Sequence, residues 1–330
     1  MSAVDEVNAP SLTIVIPTWN GWELLKDCLH SLAAQTCGDF STVVVDDGST
    51  DDTPARLEET FPHVHCIVSP VNRGFAPTAN LGLAAAASDW VFLLNNDVTL
   101  DPMCIEKLMA KAQEGRYSMI CPLVLCADDP TRIYSAGDTL SRSGRPESLG
   151  YKMPLAEYEA AREPFGVSGG YGLFRKTLLD EVGLLDESFV AYFEDSDLCF
   201  RARWAGHAAA IVPEARAYHI GSASIAGRTW WRTRKCYQNH ALLVWKNYSL
   251  ALLLRNFVPI CGERIHQGKR LFQVARHEWG ALRATGVVFA AWWGLMLRCP
   301  GALRARHRIL GQRRIHNDAM QALLDESTSQ

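Results

Sequence analysis

The sequence of 330 residues lacks the short motifs of several large enzyme classes. It contains no Gly-x-x-x-x-Gly-Lys-Ser/Thr loop, no Gly-x-Gly-x-x-Gly turn and no His-Glu-x-x-His pair. These absences argue against P-loop nucleotidases, dinucleotide-dependent oxidoreductases and zinc proteases. A phosphate-bearing ligand would therefore have to be held by another arrangement of residues.

The sequence also shows little sign of secretion. Residues 1–17 contain no basic segment followed by a long apolar core, so we expect no signal peptide and an active part inside the cell. The 10 cysteines are scattered and form no Cys-x-x-Cys pair, which predicts free thiols in a reducing cytosol rather than a disulfide framework.

The composition is that of an ordinary globular protein, with 48% hydrophobic and 21% charged residues, which excludes disordered and collagen-like classes. The charge is unevenly distributed. Residues 1–198 carry 13 Lys and Arg against 30 Asp and Glu, a net charge of −17, and residues 199–330 carry 20 against 6, a net charge of +14. This asymmetry indicates an acidic part that holds cations and a basic part that faces phosphate, nucleic acid or a membrane surface.

Short apolar runs alternate with helical patterns over the first hundred residues. The runs cover residues 12–17, 42–45, 65–68 and 90–94, and nearly continuous apolar strands of this kind predict an α/β fold with a parallel sheet covered on both faces. Ligands of such sheets bind beyond the carboxyl ends of the strands.

Carboxylate and amide side chains follow two of these strands. Asp46 and Asp47 repel each other unless hydrogen-bond donors or a cation offset their charges, although turn formation explains the neighbouring residues 48–53. Asn95, Asn96 and Asp97 supply oxygen ligands that suit Mg²⁺ or Mn²⁺ rather than zinc. A single carboxylate holds such an ion weakly, so we expect a substrate diphosphate to complete the site.

A third acidic cluster lies at Glu194, Asp195 and Asp197, ahead of a helix predicted over residues 195–205. Acidic residues in the first turn of a helix also stabilise its dipole, which is a purely structural alternative. The functional interpretation is a general base that takes the proton from an attacking hydroxyl. Spacing alone does not select which carboxylate does so.

Two later segments differ in character from this α/β pattern. Residues 138–164 are polar and without a clean period, which predicts a mobile loop. Residues 286–297 are apolar, flanked by Arg283 and Arg298, and as a helix would cover about 18 Å against a hydrocarbon core of about 30 Å. The run predicts a helix that lies in the headgroup region of an anionic membrane, with a core helix or a dimer interface as alternatives.

Six motifs in order carry a resemblance that covers about residues 11–222. They are IVIPTWNGWELLKDCLHSLAAQT, VVVDDGSTDDT, NRGFAPTANLGL, FLLNNDV, VSGGYGLFRK and YFEDSDLCFRARWAGH. Their order resembles the inverting glycosyltransferases of family 2, which have the GT-A fold, and within them the bacterial rhamnosyltransferase-type members. The resemblance implies a catalytic domain over residues 1–222, with a nucleotide half at about 11–100 and an acceptor half at about 101–222. Residues 223–330 then form a basic helical extension for membrane docking or dimerisation.

The resemblance also implies roles for individual residues. The implied donor-binding residues are Pro17, Thr18, Trp19, Asn20, Asp46, Asp47, Arg73, Gly74, Asn80, Asn95 and Asn96. Asp97 and His219 would bind the metal, Asp195 with Glu194 beside it would supply the base, and Gly169, Gly170 and Trp204 would meet the acceptor.

One position departs from the family pattern. The first Asp of the usual Asp-x-Asp motif is Asn95 here, a neutral and poorer ligand, which puts strict metal dependence in question. For His219 and Trp204, ordinary packing is the alternative to ligand contact.

The resemblance implies transfer of a sugar, with rhamnose expected, from dTDP-rhamnose or a UDP-sugar to a hydroxyl of a lipid-linked or polysaccharide glycan. The expected reaction is a single displacement with inversion, with Mg²⁺ or Mn²⁺, at the inner face of the cell membrane. The alternative is a non-catalytic subunit that binds sugar nucleotides or glycans. A sugar-phosphate nucleotidyltransferase would need a Gly-rich N-terminal signature that is absent. Residues 228–314 are Trp-rich but apolar, which disfavours nucleic acid.

Overall fold

The computed structural model describes residues 11–158, 163–221 and 229–326. Within these ranges the strands are β1 (Leu12–Thr18), β2 (Phe40–Asp46), β3 (His65–Val68), β4 (Trp90–Leu94), β5 (Val98–Leu100), β6 (Met119–Cys126), β7 (Ile133–Ser135), β8 (Asp138–Leu140), β9 (Pro146–Ser148), β10 (Tyr171–Arg175) and β11 (Ala209–His219).

The helices follow the strands on both sides of the sheet and then dominate the C-terminal third. They are α1 (Trp22–Ala33), α2 (Thr53–Thr60), α3 (Phe75–Ala85), α4 (Cys104–Gln113), α5 (Lys176–Val182), α6 (Glu194–Trp204), α7 (Thr229–Asn247), α8 (Leu250–Arg255), α9 (Phe257–Trp279), α10 (Ala281–Gly311) and α11 (Asn317–Glu326).

A mixed central sheet organises the molecule, in the strand order β3-β2-β1-β4-β10-β6-β11-β5, with β7 beside β6. Strands β1 to β4 are parallel neighbours, as the apolar runs predict, and every residue of β1 and β4 is buried. Beyond β4 the sheet changes, because β10 is antiparallel to both β4 and β6. The parallel arrangement is therefore correct for the nucleotide half and only partly so for the acceptor half.

The segment predicted as a mobile loop, residues 138–164, contains regular structure. Strands β8 and β9 pair antiparallel around a turn in which Gly144 has a positive φ, and residues 159–162 lie outside the described residues. Strands of three residues are too short to show an alternating hydrophobic pattern, so the sequence does not reveal the hairpin.

The C-terminal extension is joined to the catalytic core, although the predicted boundary at residues 222 and 223 lies outside the described residues. The buried side chains of Ala241, Leu242, Leu243 and Val244 on α7 belong to the same hydrophobic cluster as the sheet. The cluster continues into α10 and α11. These helices therefore stabilise the catalytic part directly.

A buried ionic network reinforces this junction between α6 and α7. Lys246 Nζ on α7 lies 2.7 Å from Asp197 Oδ2 and 2.6 Å from Asp186 Oδ2. Asp197, which is fully buried on α6, also accepts hydrogen bonds from Arg201 Nε at 2.9 Å and Asn247 Nδ2 at 2.8 Å. Lys246 and Asn247 on α7 thus meet Asp197 and Arg201 on α6 in a buried contact.

The network keeps its carboxylates ionised despite their burial. Burial raises the pKa of Asp186, but the Lys246 ammonium and the Ser188 donors outweigh it and lower the pKa to about 2. Burial likewise raises the pKa of Asp197, and the charges of Lys246 and Arg201 bring it below its ordinary value. Both carboxylates are therefore ionised at neutral pH.

Helix α10 is much longer than the apolar run that predicts it. It comprises 31 residues, or about 46 Å, and contains Pro300. Among the described residues it is the one helix long and apolar enough, by length and composition, to cross a membrane. The helix is longer than the about 18 Å expected from the apolar run alone, because residues flanking the run continue it.

We expect Lys246→Met to lower the free energy of unfolding by about 3–5 kcal/mol, because it leaves Asp186 without its ion-pair partner and the buried Asp197 with Arg201 alone. The matched control is Arg255→Met, whose partner Asp318 is 83% exposed, and it should cost at most about 1 kcal/mol. Urea unfolding measures both. Equal losses in the two variants would contradict a structural role for the buried network.

Candidate active site

Asp97 and His219 come together because β5 and β11 pair antiparallel. His219 lies opposite Val98 in the register, and the backbone N–H of Ile220 donates to the Asp97 carbonyl at 3.2 Å. The side chains meet as well, with His219 Nε2 3.0 Å from Asp97 Oδ1 and both residues largely buried. His219 Nδ1 is buried and has no hydrogen-bond partner among the described residues, and the Tyr134 ring packs edge-on against the imidazole with centroids 4.3 Å apart.

The Asp47 carboxylate shapes the loop that precedes α3. Its Oδ1 accepts a hydrogen bond from the backbone N–H of Arg73 at 2.8 Å, and its Oδ2 accepts one from Gly74 at 2.9 Å. Gly74 has φ +92°, and a Cβ there would lie 2.6 Å from Val190 Cγ1. Only glycine fits this position without displacing the segment that leads to α6.

Gly169 and Gly170 connect the ends of β4 and α6. The Asn95 N–H donates to the Gly170 carbonyl at 2.8 Å, and a Cβ on Gly170 would lie 2.7 Å from the Asn95 side chain. The Gly169 N–H donates to Asp195 Oδ2 at 3.1 Å. The two glycines therefore admit close approach of neighbouring side chains as well as lining the cavity.

Asp195 is held in one orientation at the start of α6. Besides the Gly169 contact at Oδ2, its Oδ1 accepts hydrogen bonds from Ser196 N at 2.7 Å and Ser196 Oγ at 3.3 Å. Hydrogen bonds of this kind fix the orientation of a carboxylate. Asp195 is therefore held in place at the wall of the cavity.

The segment that leads into Asp195 has an unusual backbone. Val190, Tyr192 and Phe193 all have φ between 68° and 74°, in a region that residues other than glycine occupy rarely. Asn239 on α7 is fully buried and its Nδ2 donates to three carbonyls of this segment, those of Phe189, Ala191 and Tyr192, at 3.0, 2.9 and 2.8 Å. The C-terminal extension thereby holds the approach to the base.

These groups line one cavity of about 810 Å³. Of the residues that the sequence predicts for the site, it contains Pro17, Thr18, Trp19, Asp47, Arg73, Gly74, Asn95, Asn96, Asp97, Gly169, Gly170, Glu194, Asp195 and His219. Carboxylates from three separate parts of the chain thus face a common space.

Four predicted residues do not line this cavity, and the structure corrects their roles. Asn20 binds Thr50 and the N–H of Asp51, and Asp46 accepts hydrogen bonds from Ser49. These contacts hold the neighbouring loops and offset the Asp46 charge without a ligand.

The other two corrections concern Asn80 and Trp204. Asn80 Nδ2 donates to the Leu185 carbonyl at 2.9 Å, and its Oδ1 accepts from the Leu185 N–H at 3.1 Å. Trp204 is 1% exposed, and its Nε1 donates to the Asn247 carbonyl at 2.9 Å. The packing alternative is therefore correct for Trp204, and it does not face an acceptor sugar.

The cavity also contains residues that the sequence analysis does not identify. They are Tyr134, Asp138 and Arg145 around the β8–β9 hairpin, Tyr192 before α6, Trp231, Arg232 and Cys236 on α7, and Glu263, His266, Gln267 and Arg270 on α9. The α9 residues recur with the spacing of one helical face, which is the signal that could have found them.

Two acidic groups near the base have raised pKa values. Burial, followed by the charge of Asp195, raises the pKa of Glu194 well above its ordinary value, and Glu194 Oε2 has no hydrogen-bond partner in the described part of the chain. Burial and the charge of Asp195 also raise the pKa of Asp138 to about 8. Near neutral pH Glu194 and Asp138 therefore carry protons, which they can donate in hydrogen bonds to a ligand hydroxyl.

A divalent cation in this cavity would need ligands from the substrate as well as from the protein. Residues 11–158, 163–221 and 229–326 contain no cluster of three or more His, Cys, Asp or Glu donors. Asp97 Oδ1 and His219 Nε2 nevertheless offer two adjacent donor atoms at the cavity wall. Mg²⁺ is commonly held by one or two protein ligands plus substrate phosphates, so this pair fits a metal that the donor diphosphate completes.

The parallel half-sheet, the acidic loops at its carboxyl edge and helix α6 beside them have the arrangement of the GT-A fold. Residues 13–183, about half of the chain, match the model for Glycosyl transferase family 2, and the chain belongs to this family. The fold class and the family predicted from the six motifs are both confirmed.

One curated relative is the N-acetylglucosaminyl-diphospho-decaprenol L-rhamnosyltransferase of Mycobacterium tuberculosis. It is 28% identical over 233 residues, which cover 63% of this chain and 75% of the relative. The rhamnosyltransferase-like character predicted from the motifs agrees with this similarity.

Solved structures support the fold. A structure of GalNAc-T7 with UDP, GalNAc and Mn²⁺ has a TM-score of 0.57 at 16% identity, covering 73% of this chain and 48% of that one, so the chain spans about half of that protein. The mannosyltransferase PcManGT of Pyrobaculum calidifontis, in complex with GDP-Man and Mn²⁺, has a TM-score of 0.50 at 18% identity and covers 98% and 87%. Its alignment extends over almost the whole chain, including the C-terminal helices.

We expect Asp138→Asn to flatten the pH dependence of stability between about pH 4 and 8. Asp138 keeps its proton to about pH 8 when folded and loses it near pH 4 when unfolded, so its contribution to the unfolding free energy declines as pH rises through this window. Thermal melting across the pH range measures the change. The control Asp39→Asn, at an exposed position, should show the same pH dependence of stability as the unmodified protein. If Asp138→Asn also showed that same pH dependence, the raised pKa of Asp138 would be refuted.

Proposed function

We propose that the protein transfers a sugar, rhamnose, from a nucleotide diphosphate donor to a hydroxyl of a lipid-linked or polysaccharide glycan, with inversion by single displacement. One observation carries the proposal. Asp47, the Asp97–His219 pair and Asp195 line the same cavity, which has a volume of about 810 Å³. A donor-binding edge and an oriented base therefore share one cavity.

The donor side is suited to a nucleotide diphosphate. Asp47 orders the loop of Arg73 and Gly74, and the β1 end contributes Pro17, Thr18 and Trp19 to the cavity wall. Asp97 and His219 would hold Mg²⁺ or Mn²⁺, which offsets the negative charge that the diphosphate gains as it leaves. Both GalNAc-T7 and PcManGT were solved with a nucleotide and Mn²⁺, which supports this assignment.

The acceptor side is suited to base catalysis. Asp195 is fixed by Gly169 and Ser196, so its carboxylate takes the proton of the acceptor hydroxyl as that oxygen attacks the anomeric carbon. The bond to the diphosphate breaks in the same step, and attack from the opposite face inverts the carbon. No second carboxylate has to act as a nucleophile, and protonated Glu194 beside Asp195 is a poor one.

The identity of the sugar and of the acceptor class rests on similarity. The Mycobacterium relative is named as a rhamnosyltransferase that acts on a diphospho-decaprenol, which supports rhamnose and a lipid-linked acceptor for this chain. The alternative of a non-catalytic binding subunit is disfavoured by the oriented Asp195, since sugar-nucleotide binding alone would not need it.

We expect Asp195→Asn to reduce sugar transfer by at least about 100-fold, because general-base catalysis contributes about 10²–10⁴. Binding of dTDP or UDP with Mn²⁺, measured by thermal shift, should remain, because the donor residues lie on other loops. Asp180→Asn, on the exposed side of α5, is the matched control and should retain full activity. Full transfer by Asp195→Asn would disprove the base assignment.

We further propose that α10 docks on the inner face of the cell membrane, with the catalytic part in the cytosol. Its buried residues, Ala284, Ala291, Leu295, Ala302 and Ile309, recur every four or seven positions and form a narrow stripe. The opposite side exposes Leu282, Phe289, Trp293 and Leu297. A helix that is apolar on its packed face and its outer face needs a second apolar environment, which a membrane supplies.

The packing of α10 favours docking in the interface over spanning. Gln238 on α7 donates to the Ala291 carbonyl at 2.9 Å, midway along α10, in a buried contact. If α10 crossed the bilayer, α7 with Arg232, Arg234 and Lys235 would have to enter the hydrocarbon as well. Tryptophan side chains in the headgroup region and flanking arginines suit the surface of an anionic membrane.

Replacing Phe289, Trp293 and Leu297 together with serine should weaken binding to anionic lipid vesicles by at least about tenfold, because each buried side chain contributes about 2 kcal/mol. Vesicle co-sedimentation measures this, and Val68→Ser, an exposed apolar position on β3, is the control. Substitutions are preferable to deletion, because α10 contributes Leu295, Ala302 and Ile309 to the core. Unchanged vesicle binding together with loss of a dimer in sedimentation analysis would assign the surface to a second copy instead.

A further inference from the structure

Helix α9 faces the transfer cavity with a row of polar side chains. Glu263, His266, Gln267 and Arg270 line the cavity and are spaced three, four and seven positions from the first, which places them on one side of the helix. The proposed chemistry uses none of these residues. Their position on the acceptor side, beyond α6 and α7, indicates a further binding function.

Two arginines converge on this part of the cavity. Arg232 on α7 and Arg270 on α9 line the same cavity as Cys236 on α7 and Glu194 at the start of α6. Burial raises the pKa of the Cys236 thiol, and the charges of both arginines act against that rise. Neither forms an ion pair with a described residue, whereas Arg73 pairs with Glu187 and Arg145 with Glu147.

Convergent arginines without a carboxylate partner suit a phosphate ligand. The guanidinium group presents several N–H donors in a planar fork that matches phosphate oxygens. The Arg232 guanidinium lies over the Tyr192 ring, 5.6 Å from its centroid, and the Tyr192 and Trp231 rings are 6.0 Å apart. Stacking restricts the guanidinium plane, and the paired rings offer an apolar face to a neighbouring sugar.

The location of the arginines matches that of a lipid linker. The outer side of α9 exposes Val258 and Ile265, so the cavity and the apolar surface are separated by one helix, about 10 Å in diameter. An acceptor whose hydroxyl lies at Asp195 and whose tail reaches that surface must bring its linker past α7 and α9. In a glycolipid carried on a polyprenyl chain, that linker is an anionic diphosphate.

We propose that Arg232 and Arg270 form a subsite for the diphosphate linker of a lipid-linked acceptor. The proposal rests on the proposed function and deepens it. It explains how the enzyme selects an acceptor by the lipid diphosphate that carries it as well as by its sugar. The competing ligand is the donor diphosphate, since the charge of Arg232 also reaches Tyr134, which packs on His219. The test therefore measures donor and acceptor binding separately.

The probes are N-acetylglucosaminyl diphosphate on a geranyl chain, and geranyl N-acetylglucosaminide, which has the same sugar and chain without phosphate. Isothermal titration in detergent gives the dissociation constant of each. The unmodified protein should bind the diphosphate probe at least about tenfold more tightly, since each charge-assisted contact contributes about a factor of ten or more. The preference should decline as ionic strength rises.

Arg232→Ala and Arg270→Ala should each remove most of this preference, and Arg270→Lys should restore part of it. Lys269→Ala, an exposed lysine on α9 outside the cavity, should retain it. The dissociation constant of dTDP with Mn²⁺ should stay within about twofold in all variants if the arginines bind only the acceptor. Unchanged melting temperatures verify that the substituted proteins are folded.

Equal binding of both probes by the unmodified protein would overturn the proposal. Loss of dTDP affinity in the arginine variants, with the diphosphate preference intact, would assign the arginines to the donor and would also overturn it. If the unmodified protein bound no nucleotide diphosphate, the proposed function would fail, while the two lipid probes would still decide whether the subsite exists.

Discussion

The carboxylate of Asp197 is fully buried two residues after Asp195, the proposed proton acceptor, and cations from two helices hold it there. A carboxylate in this position costs several kcal/mol unless it is paired and hydrogen-bonded, so α6 can begin where it does only if α7 supplies Lys246 and Asn247. The position of α7 along α6 fixes the residue at which α6 begins. It therefore also fixes the position of Asp195 relative to the sheet.

The same helix acts on the segment before α6. Three residues there have left-handed backbone conformations, each of which costs of order 1 kcal/mol or more, and Asn239 compensates with donors to three carbonyls. The Val190 carbonyl also accepts from Ala76 N at 3.1 Å, next to Gly74 in the loop that Asp47 orders. Hydrogen bonds therefore connect the loop of Arg73 and Gly74, the segment before Asp195 and helix α7.

The sequence predicts the nucleotide half well, because β1 to β4 are apolar runs whose bounds follow from their composition, and Asp47, Asp97 and Asp195 lie at element ends where ligands gather. It does not separate residues that bind a ligand from those that hold a loop, since Asp46 and Asn20 have the same chemistry as their neighbours in the cavity. The helices α7 and α9 enter the site through tertiary packing, and the helical spacing of the polar α9 residues marks a face of the helix without showing which cavity that face meets. Trp204 is misassigned because an aromatic ring near a motif looks the same whether it is packed or exposed.

The contacts of Asn239 bear on how such an enzyme can evolve and be engineered. The segment matching the family model ends at residue 183, yet the geometry of Asp195 depends on side chains more than fifty residues further along. A fragment that ends after α6, alone or fused to a foreign C-terminal module, would keep Asp195 but lose the Asn239 amide and the Lys246 ammonium that hold the turn before it. Helices α6 and α7 are thus inherited as a pair, and recombination between relatives should succeed only when its crossover points leave both helices in the same parental block.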